Sequence, residues 1–264
     1  MNYRSIKLAV EGDHVARLTL ARPEIQNAMS MQLVQELRHA LGVIAASPRL
    51  RAVVLTGEGK AFCAGGDLNW MQSVLKQSRA ERVAESRVLA ELFYEFDTLP
   101  KVVVGRINGP ATGGGFGMTC ICDVGVASTA ARFSLTEAKL GLLPANIGPY
   151  VARRLGLARA RRYGLTAQFI GAAQAERIGL VDRVVAPEEL DRAVDEELAL
   201  ILALPAGSIA STKRLFNDVI GRPPRECMDY TAAALADAWE TEDAGEGIAA
   251  FLAKRPAAWK VTRG

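Results

Sequence analysis

Histidine is nearly absent from this chain of 264 residues: His14 and His39 are the only two, too few for a zinc cluster and poor material for a nucleophilic triad. No metal site is expected. The four cysteines, Cys63, Cys120, Cys122 and Cys227, form no CxxC pair and are too few for a disulfide scaffold. Reduced thiols in a cytoplasmic protein fit that usage. Neither sign of charge dominates, with 32 Lys+Arg against 29 Asp+Glu and a formal net charge of +3. This removes bulk attraction to nucleic acid or to a membrane, and leaves room only for a local anion site. Aromatics make up 6% of the chain and no basic cluster accompanies them, so no base-stacking platform is expected. No segment approaches the roughly 18 apolar residues of a membrane span, and Met1-Asn2-Tyr3-Arg4-Ser5 leads into no signal-type apolar run.

What is present is a core-forming composition, 50% apolar and 23% charged, in a length that suits one large α/β domain with an appendage. Ile6 to Val10 and Val15 to Leu20 read as the strands of a hairpin turned by Glu11-Gly12-Asp13. Ser30 is a candidate N-cap, followed by Leu33, Leu37, Leu41 and Ile44 on one helical face. Val53-Val54-Leu55 is a short buried strand, residues 80–97 a helix with Leu89, Leu92, Phe93 and Phe96 inward, and Val102-Val103-Val104 a further strand. After Asn108-Gly109-Pro110 and Gly113-Gly114-Gly115, Met118 to Ile121 reads as a buried helix. Beyond Gly171 the pattern turns helical, with starts at Pro187 and near Pro205 and an alanine-rich helix from Pro224 to Trp239. The expected division is an α/β core over residues 1–204 and a helical region over 205–264.

Two glycine loops stand out: Ala64-Gly65-Gly66-Asp67 after one strand and Gly113-Gly114-Gly115 after another. Glycine lets backbone approach a ligand, and two amide donors, one at a helix N-terminus, can hold a developing oxyanion. Neither loop fits a nucleotide fingerprint. Met118 occupies the last glycine position of GxGxxG, and no Gly-Lys-Ser/Thr follows. Among the carboxylates, Glu137 lies in the mostly apolar stretch from Phe133 to Gly141, where partial burial would raise its pKa toward the range of a general acid or base.

Taken in order, these segments resemble the enoyl-CoA hydratase/isomerase (crotonase) family over nearly the whole chain. The matching residues are Arg22-Pro23 with Asn27-Ala28, Lys60 to Leu68, Asn108-Gly109, the glycines 113–115, Asp123, Glu137 with Leu140-Gly141, and the run from Glu246 to Arg255. The resemblance implies a crotonase (ClpP/crotonase-like) fold of repeated ββα units with a C-terminal helical trimerisation region, assembled as a trimer or a dimer of trimers. It implies an acyl-CoA thioester substrate, with CoA as part of the substrate and no permanently bound cofactor. The thioester oxygen would lie between the amides of Gly66 and Gly114. Ala64, Gly65, Asp67 and Leu68 would line the CoA path, Arg22 or Lys60 would meet phosphates, and Phe251 and Lys254 would reach the nucleotide end across a subunit boundary.

One departure is informative. The family's hydratases carry two glutamates; the position of the first is Gly117 here, and the second matches Glu137. Gly115-Phe116-Gly117-Met118 and the run from Glu137 to Val151 resemble the bacterial 3-methylglutaconyl-CoA and isohexenylglutaconyl-CoA hydratases. On that likeness Gly117, Phe116 and Asn146 would shape the substrate pocket, with Gly117 leaving room for a branched or carboxylated β-substituent. The expected activity is hydration of a 2-enoyl-CoA. The rivals are a Δ3,Δ2-enoyl-CoA isomerase and a catalytically silent acyl-CoA binder, and retention of Glu137 speaks against silence.

Overall fold

The computed structural model describes residues 2–259. The expected hairpin opens the chain as β1 (Ile6–Glu11) and β2 (Val15–Leu20), paired antiparallel from Ile6↔Leu20 to Glu11↔Val15. Gly12 and Asp13 turn it with φ of 53° and 63°, a region that glycine and aspartate occupy with little strain. In α1 (Met31–Ala46) the Ser30 side chain accepts from the Leu33 amide at 3.3 Å, as a cap should. β3 (Ala52–Gly57) is buried at every position, and its run of small and branched apolar residues accordingly lacks polar alternation. α2 (Leu68–Leu75), α3 (Arg79–Asp97), β4 (Val102–Ile107), β5 (Ala111–Thr112) and α4 (Gly114–Ile121) follow. α4 begins at Gly114, ahead of the Met118 to Ile121 run, because its glycines mask a helix whose support is packing rather than propensity. Next come β6 (Val124–Ser128), β7 (Arg132–Ser134), α5 (Gly148–Leu155), α6 (Leu157–Thr166), β8 (Ile170–Gly171), α7 (Ala172–Arg177) and β9 (Arg183–Val185). α8 (Leu190–Leu202), α9 (Ala206–Val219), α10 (Met228–Trp239) and α11 (Glu242–Leu252) end the described chain.

Six strands form the main sheet in the order β1-β2-β3-β4-β6-β9, parallel from β2 onward, and β5-β7-β8 form a small second sheet. Side chains that alternate along each strand build two cores. Val53, Leu55 and Val103 face α1, α3 and α4, where Leu37, Phe93 and Phe116 are fully buried. Ala52, Val54, Val102 and Val104 face the other way, onto Leu190, Val194 and Leu198 of α8. A parallel sheet covered on both faces directs its loops to the carboxyl ends of the strands, the usual place for a site in such folds.

The C-terminal helices pack at the opposite end. Lys213 of α9 donates to the Lys101 carbonyl at 3.2 Å and pairs with Asp123 at 2.7 Å, just ahead of β4 and β6. Arg51, just ahead of β3, donates to the carbonyls of Leu204 and Trp259.

Candidate active site

Main-chain bonds stitch three loops together at the carboxyl ends of β3 and β4. Met29 N donates to Gly65 O at 2.7 Å and Asp67 N to Met29 O at 2.9 Å; Thr112 N reaches Cys63 O at 2.9 Å and Gly113 N reaches Ser134 O at 2.9 Å. Two asparagine amides, Asn27 buried and Asn108 half-buried, fix the approach. Asn27 Nδ2 donates to Glu58 O and Ala61 O, both at 2.9 Å, and Asn108 Nδ2 donates to Gly59 O at 3.0 Å. These bonds explain Asn27 and Asn108, for which the sequence offered only a family likeness.

The two glycine loops touch. Gly65 has φ +89°, and a Cβ there would lie 3.0 Å from Thr112 O and 3.6 Å from the Gly113 Cα. Beyond this contact lie the Gly66 and Gly114 amides. Among the described residues no protein acceptor takes either N–H, and Gly114 is the first residue of α4, where an unpaired donor is backed by the helix dipole. The arrangement offers donors to an oxyanion. Met71 lies over Gly66 and Met29 over Gly114, thioether ends that a Cβ at either glycine would strike. No sequence pattern pointed to these two methionines.

Glu137 arrives on the same spot through the small sheet. β5 pairs in parallel with β7, Thr112 opposite Ser134, so the segment just past β7 returns beside Gly113. A Cβ on Gly113 would lie 3.3 Å from Glu137 Oε1 and 3.4 Å from Thr136 Oγ1. Oε2 of Glu137 is buried without a hydrogen-bond partner. Desolvation raises the Glu137 pKa above the ordinary carboxylate value, opposed only by a backbone hydrogen bond.

Asp67 has another task. Its carboxylate caps α2, accepting from Asn69 N at 2.8 Å and Trp70 N at 3.4 Å, and pairs with Arg22 at 2.8 Å. Desolvation works against its charge, but the Arg22 hydrogen bond and the two amides outweigh it and hold the carboxyl below its usual range. Arg22 also donates to Ala28 O at 2.7 Å. Both its terminal guanidinium nitrogens are thus engaged inside the protein. Cys63, adjoining Ala64, is fully buried and its thiol is pushed up to about 12, so it supplies no nucleophile.

These groups line a cleft of about 690 Å³ whose walls all come from residues between Ile25 and Ile147. Ala64, Gly66, Asp67, Leu68, Gly114, Glu137 and Asn146 are on it; Gly65 supports it from behind. Glu137 and Asp67 are its only carboxylates among the described residues. The remainder is mostly apolar, with Leu89, Phe93, Leu140, Leu142, Leu143 and Ile147. Two expected pocket residues lie elsewhere. Phe116 is fully buried, edge-on to Phe133 at 6.5 Å between ring centres. Gly117 leaves no open volume, because a Cβ there would collide with Ile147 Cγ2 and lie 3.1 Å from Phe93. Ile147 occupies the space expected for a substrate branch, a contact that no local pattern signals. Lys60 is exposed and off the cleft. Phe251, 83% exposed on α11, and Lys254 beyond it are not brought to the cleft of their own chain.

A family model for enoyl-CoA hydratase/isomerase matches residues 11–262. The chain belongs to that family. It is similar to a Thermus thermophilus protein assigned as an enoyl-CoA hydratase, 37% identical over 250 residues that span 94% of this chain and 98% of the relative. Bacillus subtilis YngF, assigned as an enoyl-CoA hydratase/isomerase, is 33% identical over 258 residues, 97% of this chain and 98% of its own. Among solved structures, Pseudomonas aeruginosa AtuE superposes with a TM-score of 0.94 at 34% identity, covering 98% of this chain and all of the other. The enoyl-CoA hydratase of Shewanella pealeana gives 0.93 at 31% identity over 97% and 96% of the two chains. The fold is the crotonase fold.

Proposed function

We propose that the chain is a hydro-lyase that adds water across the double bond of a 2-enoyl-CoA, or removes it, with Glu137 as the single acid/base. The observation that carries this reading is the buried, unpartnered Oε2 of Glu137 beside the turn that presents the Gly114 amide. Glu137 takes a proton from water as the oxygen bonds to the β-carbon. Electrons move to the thioester oxygen, where the amides of Gly66 and Gly114 hold the enolate charge, and the proton then passes from Glu137 to the α-carbon. Donors fixed in advance act on charge that exists only along the reaction, so they lower the barrier more than they tighten ground-state binding. A raised pKa suits a group that must both take and return a proton near neutrality.

A cleft of about 690 Å³ with Ser86 and Asn146 at its wall supports an acyl chain that is branched or carries a second carboxylate, 3-methylglutaconyl-CoA being the model compound. The reading needs no resident cofactor. The exposed apolar side chains Phe216, Trp239, Phe251 and Leu252 support self-association through the C-terminal helices as a trimer or dimer of trimers, which would bring Phe251 and Lys254 to a neighbour's CoA site. A cytoplasmic setting suits four free buried cysteines.

A second reading, Δ3,Δ2-isomerisation, is favoured by one observation: Asp67 is tied to Arg22, so Glu137 is the one carboxylate in the cleft free to shuttle a proton. Turnover of crotonyl-, 3-hexenoyl-, 3-methylcrotonyl- and 3-methylglutaconyl-CoA in ¹⁸O-water separates the two. Label in a 3-hydroxyacyl product supports the hydratase; conversion of the 3-enoyl ester alone, without label, replaces it with the isomerase.

A further inference from the structure

Beside the cleft lies a second recess that the reaction just described does not use. Arg79, Arg82, Val83 and Arg87 line it with Ser86 and Asn146, and the last two also line the cleft. The two spaces therefore share a wall, where Ser86 Oγ donates to Asn146 Oδ1 at 3.1 Å.

The positive charge in this recess is poorly answered. Arg82 donates to the Val74 and Leu75 carbonyls at 3.1 and 2.8 Å, closing the end of α2. Arg87 meets Glu91 at only 3.5 Å, while the other oxygen of Glu91 goes to Arg38 at 2.8 Å. Arg79 has no acidic partner among the described residues. The nearby acids are occupied: Glu81 accepts from Ser78 N at 2.7 Å, and Glu85 accepts from Trp70 and Gln77.

Arg79 is also the first residue of α3, with Arg82 in the same turn. Cations there oppose the positive end of the helix dipole, so local stability does not account for them. A sequence that breaks a local rule at the rim of its site commonly does so for a ligand. An anion in the recess would meet guanidinium donors and a helix N-terminus together.

We propose that this recess binds the carboxylate at the far end of an acyl chain seated in the cleft, making ω-carboxy-2-enoyl-CoA esters the preferred substrate class. The proposal rests on the hydratase reading above and names the residues that select its substrate. Arg79 and Arg87 are the selecting groups, Arg82 being held by α2, and Asn146 marks the passage from the apolar cleft to the charged recess. A CoA phosphate offers the same anionic chemistry, so the test must tell the two apart.

The experiment measures kcat/KM for ω-carboxy-2-enoyl-CoA esters of increasing length, each against its methyl-ended counterpart. Wild type should favour the acid at one length by about tenfold or more, of the order expected from charge-assisted hydrogen bonds. Arg79→Gln and Arg87→Gln should remove most of that preference. Arg79→Glu, which suits a helix N-terminus and should fold, should reverse it. Methyl-ended esters should stay within about twofold in every variant. Equal losses on acid and methyl esters would transfer the arginines to a CoA phosphate and overturn the proposal, as would a wild type with no preference. If neither series is hydrated, the hydratase reading fails by itself; calorimetric affinities of the paired esters then still decide whether the recess selects a carboxylate.

Discussion

Gly113 faces Glu137 across a gap that a single added carbon would close, a Cβ on the glycine lying 3.3 Å from the carboxylate oxygen Oε1. The amide of the next residue, Gly114, and the carboxylate of Glu137 are thereby brought close to one another. The pairing of β5 with β7 sets where the Gly114 amide and the Glu137 main chain sit, and the Glu137 side chain spans the rest.

Glu137→Gln should fold normally and lose about 10² to 10⁴ in kcat, the usual contribution of a general acid/base. In the wild type the acid limb of kcat against pH should lie above the ordinary glutamate value, since burial raises this carboxyl and the base acts when deprotonated. Stability should move the other way. A raised folded pKa means that the ionised form is disfavoured in the native state, so Glu137's relative stabilisation is present below its unfolded pKa and lost as pH rises through the folded one. Thermal melts should place Glu137→Gln above wild type at neutral pH, with the gap closing in acid. A variant keeping more than about a third of wild-type turnover would remove Glu137 from the chemistry.

Gly114 and Gly115 should respond differently to alanine. At Gly114 the new Cβ meets the Cε end of Met29, which can swing away; at Gly115 it meets the main-chain oxygen of Cys63, which cannot. Gly114→Ala should therefore lose little stability and Gly115→Ala about 1–3 kcal/mol, read from denaturant midpoints. Gly114→Pro is the sharper chemical probe, because proline is tolerated at the first position of a helix and removes the donor, while its Cβ displaces the Met29 thioether as alanine's does, so Gly114→Ala serves as its control. A fall of about 10² to 10³ in kcat with an intact circular dichroism spectrum is expected.

At Gly117 any side chain competes with Ile147. Gly117→Ala should cost about 1–3 kcal/mol and Gly117→Glu more, whichever substrate is offered. The double variant Gly117→Ala/Ile147→Ala should recover part of the loss, because the second change vacates the contested volume. Additive destabilisation in the cycle would show that the two positions do not interact.

The pair of Arg22 and Asp67 yields to a graded test. Asp67→Asn keeps an N-cap acceptor and loses the ion pair, whereas Asp67→Ala loses both, so the alanine should be the worse by about 0.5–2 kcal/mol. Because the Asp67 carboxyl is held below its usual range, its contribution is present above the unfolded carboxylate pKa and lost as pH falls through the depressed one. Urea titrations of wild type and Asp67→Asn should converge in strong acid.

Legibility in the sequence follows the range of the interactions. The β1–β2 hairpin and α1 could be read because Gly12-Asp13 and Ser30 act on residues two or three positions away. The glycine loops and Glu137 could be singled out because they offend local expectation: glycine where structure should be regular, and a carboxylate in an apolar stretch. Gly117 was misread for the same reason. A missing side chain looks like free space until the chain brings Ile147 over it, and that contact depends on how α4 meets the segment ahead of α5. Met29 and Met71 were invisible, since an apolar residue covering a glycine of the cleft reads like any core residue. Arg22 showed only its charge, and the structure turns that charge inward onto Asp67.

The cleft is complete by Ile147, whereas β9, which covers the outer edge of β6, does not begin until Arg183. During synthesis the lining of the cleft leaves the ribosome while β6 still shows unpaired backbone groups to its surroundings. The nascent chain at that stage holds every described residue lining the cleft beside a sheet edge open to pairing with another copy. Its vulnerable interval therefore runs from the emergence of Ile147 to the emergence of β9, and slowing elongation during that interval should raise aggregation more than the same delay placed after β9 has emerged.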